Sequence, residues 1–279
     1  MYRKVVNLVA TAAGVAAVVL SGCDSADTKA AGELVSQASQ AVENRNSTLA
    51  LSLLDSLQHA YPAEIEQQRE GMKLRPRAME LSIMAQIQTV DSVIAVLADT
   101  HHMLSDKMKT ISSPELVEAY QTPAAGYNAN FINTTGVQPR VDRAGQFYLV
   151  SSMNPGGISH ESLTFISGSD EVTTEPVPYD GELNYHLNGS ETVTFMPAKS
   201  DTIGSFMVAH RGAPVSVRFN GAKGKSHTIK LTQAQTDGMA DAYQYSQSVI
   251  KGRDLTVERE RLDRQLQVAR DQQARLNEE

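Results

Sequence analysis

The chain has a single cysteine, no tryptophan and few aromatic residues of any kind, 5% of the total. One thiol cannot build an intramolecular disulfide framework, a cysteine-rich zinc site or an iron–sulfur cluster. Without Trp, the ring best suited to stack against a sugar is missing. Base is also short, with 25 Lys and Arg against 32 Asp and Glu and a net charge of −7. Nucleic-acid affinity comes largely from Lys and Arg displacing counterions, so this balance argues against a nucleic-acid partner. The sequence contains no G-x-S-x-G elbow, no P-loop and no G-x-G-x-x-G fingerprint. No catalytic set and no metal site is expected.

What is present begins at the amino terminus. Residues 1–23 read MYRKVVNLVATAAGVAAVVLSGC, a basic start (Arg3, Lys4) before an uncharged apolar run, Val5 to Leu20. This is the pattern of a secretory signal, residues 1–22, too short and wrongly flanked for a membrane span. Its end, Leu20-Ser21-Gly22-Cys23, matches the bacterial lipobox, in which small residues precede the cleaved bond and the cysteine is acylated. The only cysteine of the chain falls at that position. Acyl chains contribute roughly 0.8 kcal/mol per buried methylene, so the mature protein should stay on its membrane. Cleavage removes Arg3 and Lys4 and leaves a more acidic chain, which anionic lipid does not attract. The expected partner is therefore membrane lipid through Cys23, with no cofactor beyond that acyl lipid. The expected localisation is a lipid-anchored protein, periplasm-facing or on the outer-membrane surface.

Residues 23–32, small and polar, read as a lipidated flexible tether. Residues 33–112 read as a helical region, a hairpin followed by a long helix. The first helix starts at Glu33 with Leu34, Ala38, Ala41 and Val42 on one stripe, and Asn44-Arg45-Asn46-Ser47 breaks it. The second places Leu49, Leu53, Leu57 and Tyr61 at intervals of four, and Pro62 is expected to open the next helix. That third helix extends from about Pro62 to Ser112, with Arg75-Pro76 expected to kink or split it. Beyond the break, Ile87, Val90, Ile94, Leu97, His101, Leu104, Met108 and Ile111 alternate steps of three and four, a coiled-coil seam. Residues 233–279 contain no proline and repeat the theme, with Leu255, Arg259, Leu262, Leu266, Ala269, Gln273 and Leu276 as a second seam. Polar Arg259 and Gln273 lower the stability of that seam and help set its register, and Gly252 is a weak point. This helix should pair antiparallel with residues 76–112.

Between the helices, residues 113–136 read as a crossover linker and residues 137–232 as an antiparallel β-domain. Eight short alternating runs are the candidate strands: FYLVSSM, SLTFISG, EVTTEPV, ELNYHLN, ETVTFMP, IGSFMVAH, VSVRFNG and HTIKLT. Asn188-Gly189 and Asn220-Gly221 are turn signals. The expected fold class is α+β, an N-terminal helical hairpin and long antiparallel coiled-coil-like helices with an inserted antiparallel β-sandwich or barrel.

The run ALSLLDSLQHAYP, following an earlier amphipathic helix, resembles one tetratricopeptide-type hairpin over residues 33–62. A single unit cannot make a peptide-binding solenoid, which needs about three repeats. The whole order of lipobox, hairpin, long helix, β-insert and charged terminal helix resembles a group of uncharacterised lipoproteins from Gram-negative anaerobes of the Bacteroidales type. That group brings no activity to carry over.

Individual residues add little chemistry. His101 and His102 point about 100° apart on a helix and cannot chelate one ion; His101 reads as a polar point of the seam and His102 as its solvated neighbour. Ser159-His160-Glu161 suggests a hydrolase to the eye, but a triad is assembled from distant positions, not neighbours. Gly156-Gly157 and Gly221-Ala222-Lys223-Gly224-Lys225 read as hairpin turns rather than phosphate cradles. Tyr148, Tyr179 and Tyr185 are candidates for a wet ligand face, since a phenol keeps one polar end. The triplet Asp-Ser/Thr-apolar occurs at Ser25, Ser56, Ser92 and Thr202 and resembles an acceptor for general protein O-glycosylation in some Gram-negative bacteria, with Ser25 and Thr202 as the candidates.

The function expected from these features is a non-enzymatic, scaffold or protein-interaction lipoprotein of the cell envelope that holds a β-domain away from the membrane on a helical stalk. Its partners would be an envelope protein or copies of itself through the helices. The alternative is a glycan- or ligand-binding lipoprotein of an envelope uptake system.

Overall fold

A computed structural model describes residues 24–112, 119–127, 131–187 and 189–278. The signal sequence, the lipobox residues Leu20, Ser21 and Gly22, Cys23 and the turn residue Asn188 lie outside the described residues. The chain is mixed α+β, and its described residues divide into two compact units, one within residues 24–86 and 263–278 and the other within residues 87–262.

The first unit is helical. It contains α1 (Asp24–Glu43), α2 (Ser47–Ala60), the first part of α3 (Ile65–Ser105) and the end of α5 (Gln233–Glu278). Residues 24–32, expected as a flexible tether, are the first turns of α1. Ala26, Ala30 and Ala31 are strong helix formers, and the Thr28 hydroxyl donates to Glu64 at 2.9 Å. Asn46 caps α2 by accepting from the Leu49 N–H at 3.1 Å. The buried edge of α2 is Ala50, Leu54 and Leu57; of the expected row Leu57 is buried, Leu53 and Tyr61 are half-buried, and Leu49 is 48% exposed. Rotating the helix this way lets small Ala50 meet Ala38 and Ala41 of α1, so the two backbones approach closely.

Pro62 lies in the turn between α2 and α3 rather than at a helical position, and α3 runs unbroken through Pro76. Only one intrahelical donor is lost at Pro76, and Arg75 beside it reaches Asp55 of α2 at 2.8 Å. Glu80, 7% exposed, receives Arg77 at 2.6 Å and Arg270 of α5 at 3.1 Å. Burial pushes its carboxyl up, and the bonds from Arg270 and Arg77 more than offset this and hold it below the usual value.

The second unit carries ten strands among its described residues: β1 (Met108–Ile111), β2 (Tyr120–Pro123), β3 (Gly136–Val141), β4 (Phe147–Met153), β5 (His160–Ser167), β6 (Asp170–Thr173), β7 (Asn184–Leu187), β8 (Ser190–Phe195), β9 (Ser216–Gly221) and β10 (Ser226–Lys230). They form two antiparallel sheets, β1-β2-β3-β4-β8-β7 and β10-β9-β5-β6. Phe147, Leu149, Val193 and Phe195 of the first share one apolar core with Leu163, Phe165, Val217 and Phe219 of the second. Neither sheet closes into a barrel.

Three expectations fail here. The helix α3 ends at Ser105, and Met108 and Ile111 of the expected seam form β1. The expected crossover, residues 113–136, contains β2, which pairs with β1 and with β3. The run IGSFMVAH is not a strand but part of α4 (Pro197–Ala209). Pro197 starts that helix, the Ser200 hydroxyl donates to the Phe195 carbonyl at 2.7 Å, and Ile203 and Met207, four apart, enter the core. Gly204 lets α4 approach α5 closely, because a Cβ there would meet the Tyr243 ring at 2.1 Å.

Within this unit α3 and α5 pair antiparallel. Asp91 meets Arg259 at 2.7 Å, and His101 bonds Ser248 at 2.9 Å and stacks on Tyr245. Every expected seam residue from Ile87 to Leu104 and from Leu255 to Leu262 is half-buried or buried. His102 is exposed beside Asp106.

Candidate functional site

The most organised polar cluster of the β-unit lies inside its core. Alternation along β4 puts Phe147, Leu149, Ser151 and Met153 on one face, and along β8 it puts Glu191, Val193 and Phe195 on one face. A serine and a glutamate are thereby carried inward among apolar neighbours. His160, the first residue of β5, enters from the other sheet and packs edge-on against Phe219.

The three join in a chain. The Glu191 Oε2 lies 2.9 Å from His160 Nδ1, and His160 Nε2 lies 2.7 Å from the Ser151 hydroxyl. An ionised carboxylate only accepts, so Nδ1 carries the imidazole proton and Nε2 accepts from Ser151. The loop before β5 wraps the same carboxylate. Backbone N–H groups of Gly157, Ile158 and Ser159 donate to Glu191 Oε1 at 2.5, 2.8 and 2.8 Å, and that of His160 donates to Oε2 at 2.9 Å. Gly156 permits the approach, since a Cβ there would meet Glu191 Cγ at 2.8 Å. Asn184 of β7 ties the loop down by donating to the His160 and Val177 carbonyls.

Gly156-Gly157 is therefore not a hairpin turn. It links β4 of one sheet to β5 of the other and cradles an anion that belongs to the protein itself. The electrostatics follow from enclosure. Burial pushes the Glu191 carboxyl up, but the bonds from His160 and from the backbone of His160, Ser159 and Gly157 outweigh it and bring it to about 2. Burial pushes the His160 imidazole down, and the opposing pull of Glu191 does not restore it. The resting state is an ionised Glu191 beside a neutral His160.

Serine, histidine and carboxylate in this order are the parts of a nucleophilic hydrolase. Ser151 and His160 have no exposed surface at all, and Glu191 has 3%. A nucleophile must reach a substrate carbonyl, and here the hydroxyl faces only His160 and the Val193 carbonyl. The chain pins one sheet to the other.

The expected ligand face does not assemble. Tyr148 on β4 and Tyr185 on β7 point to the outer side of the six-stranded sheet, separated by β8 and offset along the strands. Tyr179 is 62% exposed and packs against His186, whose side chain alternates to the opposite side from Tyr185. Tyr148 belongs to a different cluster, paired with Arg140, which lies 4.0 Å over the Tyr120 ring. Burial raises the Tyr148 phenol and Arg140 opposes it without cancelling it. Nearby, Tyr120, Asp142, Arg143, Tyr245 and Val249 line a cleft of about 550 Å³.

Among the other candidates, Thr202 is exposed on α4, within a helix rather than a loop. Ser25 lies in the first turns of α1. Ser56 and Ser92 bond the carbonyls of Ser52 and Gln88 within their own helices. Among the described residues no group of three or more His, Cys, Asp or Glu is placed to hold a metal ion. No protein-family model, no curated protein and no solved structure matches the chain.

Proposed function

We propose that the protein is a membrane-anchored lipoprotein of the cell envelope, non-enzymatic, that works by presenting surface to a protein partner. The observation that carries this reading is the lipobox Leu20-Ser21-Gly22-Cys23 behind an uncharged apolar run, with the only cysteine of the chain at the acylated position. A helical unit follows the anchor in the chain and leads into a β-unit whose one Ser–His–Glu chain is sealed, which supports a role on the surface rather than chemistry within. Lipidation holds the protein at the membrane, and two or three acyl chains keep it there.

The test is detergent-phase partition of the full chain made in a Gram-negative host, with the mass of its amino-terminal peptide. Wild type should enter the detergent phase with acylated Cys23 as its first residue. Cys23→Ser should stay aqueous. Wild-type protein that is aqueous and starts at Met1 would overturn the reading.

A second reading, a ligand-binding lipoprotein of an uptake system, draws on the cleft at Tyr120 and Arg143. Calorimetry against acidic and neutral oligosaccharides separates the two, and saturable heat lost in Arg143→Ala would favour the second.

A further inference from the structure

The helix α3 carries more apolar surface than α5 covers. One seam, through Val90, Leu97 and Leu104, faces α5. A second, through Thr89, Val93, Val96, Thr100 and Met103, also alternates steps of four and three. It lies on the adjoining face of the same helix, with Val96 70% and Met103 63% exposed. Thr89, Ser92, Val93, Val96, Leu97 and Thr100 line a groove there, bounded on the α5 side by Lys251. Two neighbouring seams on one helix are the pattern of a bundle in which each helix has two partners, and α5 supplies one.

Charge identifies the other. The row of α3 beyond the second seam, away from α5, holds Ser92 and Asp99, so the groove has an aspartate on one side and Lys251 on the other. Asp91 meets Arg259 and His101 meets Ser248, which places Lys251 level with Asp99 across the groove. An antiparallel second copy would set acid against acid and Lys251 against Lys251. A parallel copy, related by a two-fold along the helices, sets each Lys251 against Asp99 of the partner subunit. α3 is also long and apolar enough to cross a membrane by length and composition. Crossing would drag the Asp91–Arg259 pair into hydrocarbon, which self-pairing does not.

We infer that the protein forms a parallel homodimer through the Thr89–Met103 seam of α3, with Lys251 of each copy paired to Asp99 of the other. The dimer does not depend on the anchor, although a two-fold along the helices keeps like ends together and suits two chains held in one membrane.

The experiment is oxidative crosslinking of the full chain in cells. Thr89→Cys, Val96→Cys and Met103→Cys are each compared with wild type, whose only thiol is Cys23, and with Val257→Cys on the exposed side of α5. Each of the three seam variants should link to itself, and the Val257→Cys control should not. Adding Asp99→Lys to Val96→Cys should lower the dimer yield severalfold, and adding Lys251→Asp to that chain should restore it, because the swap rebuilds the pair. These positions are exposed, so folding is not at stake. Failure of Thr89→Cys and Met103→Cys to link to themselves would overturn the inference. So would linkage only between a Thr89→Cys chain and a Met103→Cys chain, linkage to a different protein, or a charge swap that does not rescue.

Discussion

In the second unit Glu191 is held by five hydrogen bonds at 3% exposure, while Val96 of the same unit stands 70% in solvent. The β-core has taken a charge inside and satisfied it; the helix has left apolar surface outside and unsatisfied. Both depart from the rule that charge goes out and apolar groups go in, but they mean different things. A buried charge with every lone pair occupied is a fixed structural element, costly to break. An exposed apolar seam is surface that a partner could cover, as the proposed dimer does. The contrast directs attention to the helical exterior for function and to the β-interior for stability.

The contrast can be broken from the inside first. Glu191→Ala strands four backbone donors and His160 in the core and should cost roughly 3–5 kcal/mol by urea unfolding. If the loss is under about 1 kcal/mol, the cluster does not hold the sheets together. Acid should act in the same direction. The folded protein keeps His160 below its ordinary value of 6.5 and Glu191 near 2 instead of 4.5, so the unfolded chain binds more protons in both ranges. The stability these groups contribute is present above their ordinary values. It should fall as pH drops below 6.5 and fall again from 4.5 toward 2. In Glu191→Gln the lower step should vanish, as read from melting temperature against pH.

Gly204→Ala should cost about 1–3 kcal/mol, because its new methyl overlaps the Tyr243 ring. Ser151→Ala should cost only about 1 kcal/mol, since it removes the last hydroxyl of the chain and leaves the carboxylate cradle intact. Gly252→Ala runs the other way. Its methyl would find Leu97 at an ordinary 3.8 Å, and α5 should gain about 0.5–1 kcal/mol, visible as a higher melting temperature.

Helix and strand were legible in the sequence where one period dominates. The steps of three and four at Ile87–Leu104 and Leu255–Leu276 mark the buried side of each helix, because a helix packing on one neighbour buries one stripe. β4 coincides with the run FYLVSSM, whose ends are set by turn residues. IGSFMVAH is ambiguous because Ile203 and Met207, four apart, fit either period, and the proline that starts the helix lies outside the run. Residues 24–32 misled because small residues serve a tether and a helix equally well until a neighbour such as Glu64 fixes them.

The sealed cluster was half legible. In the sequence His160 stands between Ser159 and Glu161, whereas its partners Ser151 and Glu191 are nine and thirty-one residues away. The signal that points to them is alternation: Ser151 and Glu191 fall in phase with Phe147, Leu149, Val193 and Phe195, so each strand takes one polar side chain inward. Which polar groups then meet depends on how two sheets stack, and no local pattern carries that.

The β-interior is closed, so that Ser151 is part of a structural pin and not a nucleophile. Its most direct test is incubation of the native full chain with a fluorophosphonate probe, read by intact mass. The account predicts no adduct over hours while the protein stays folded. A stoichiometric adduct mapped to Ser151, and lost in Ser151→Ala, would contradict it.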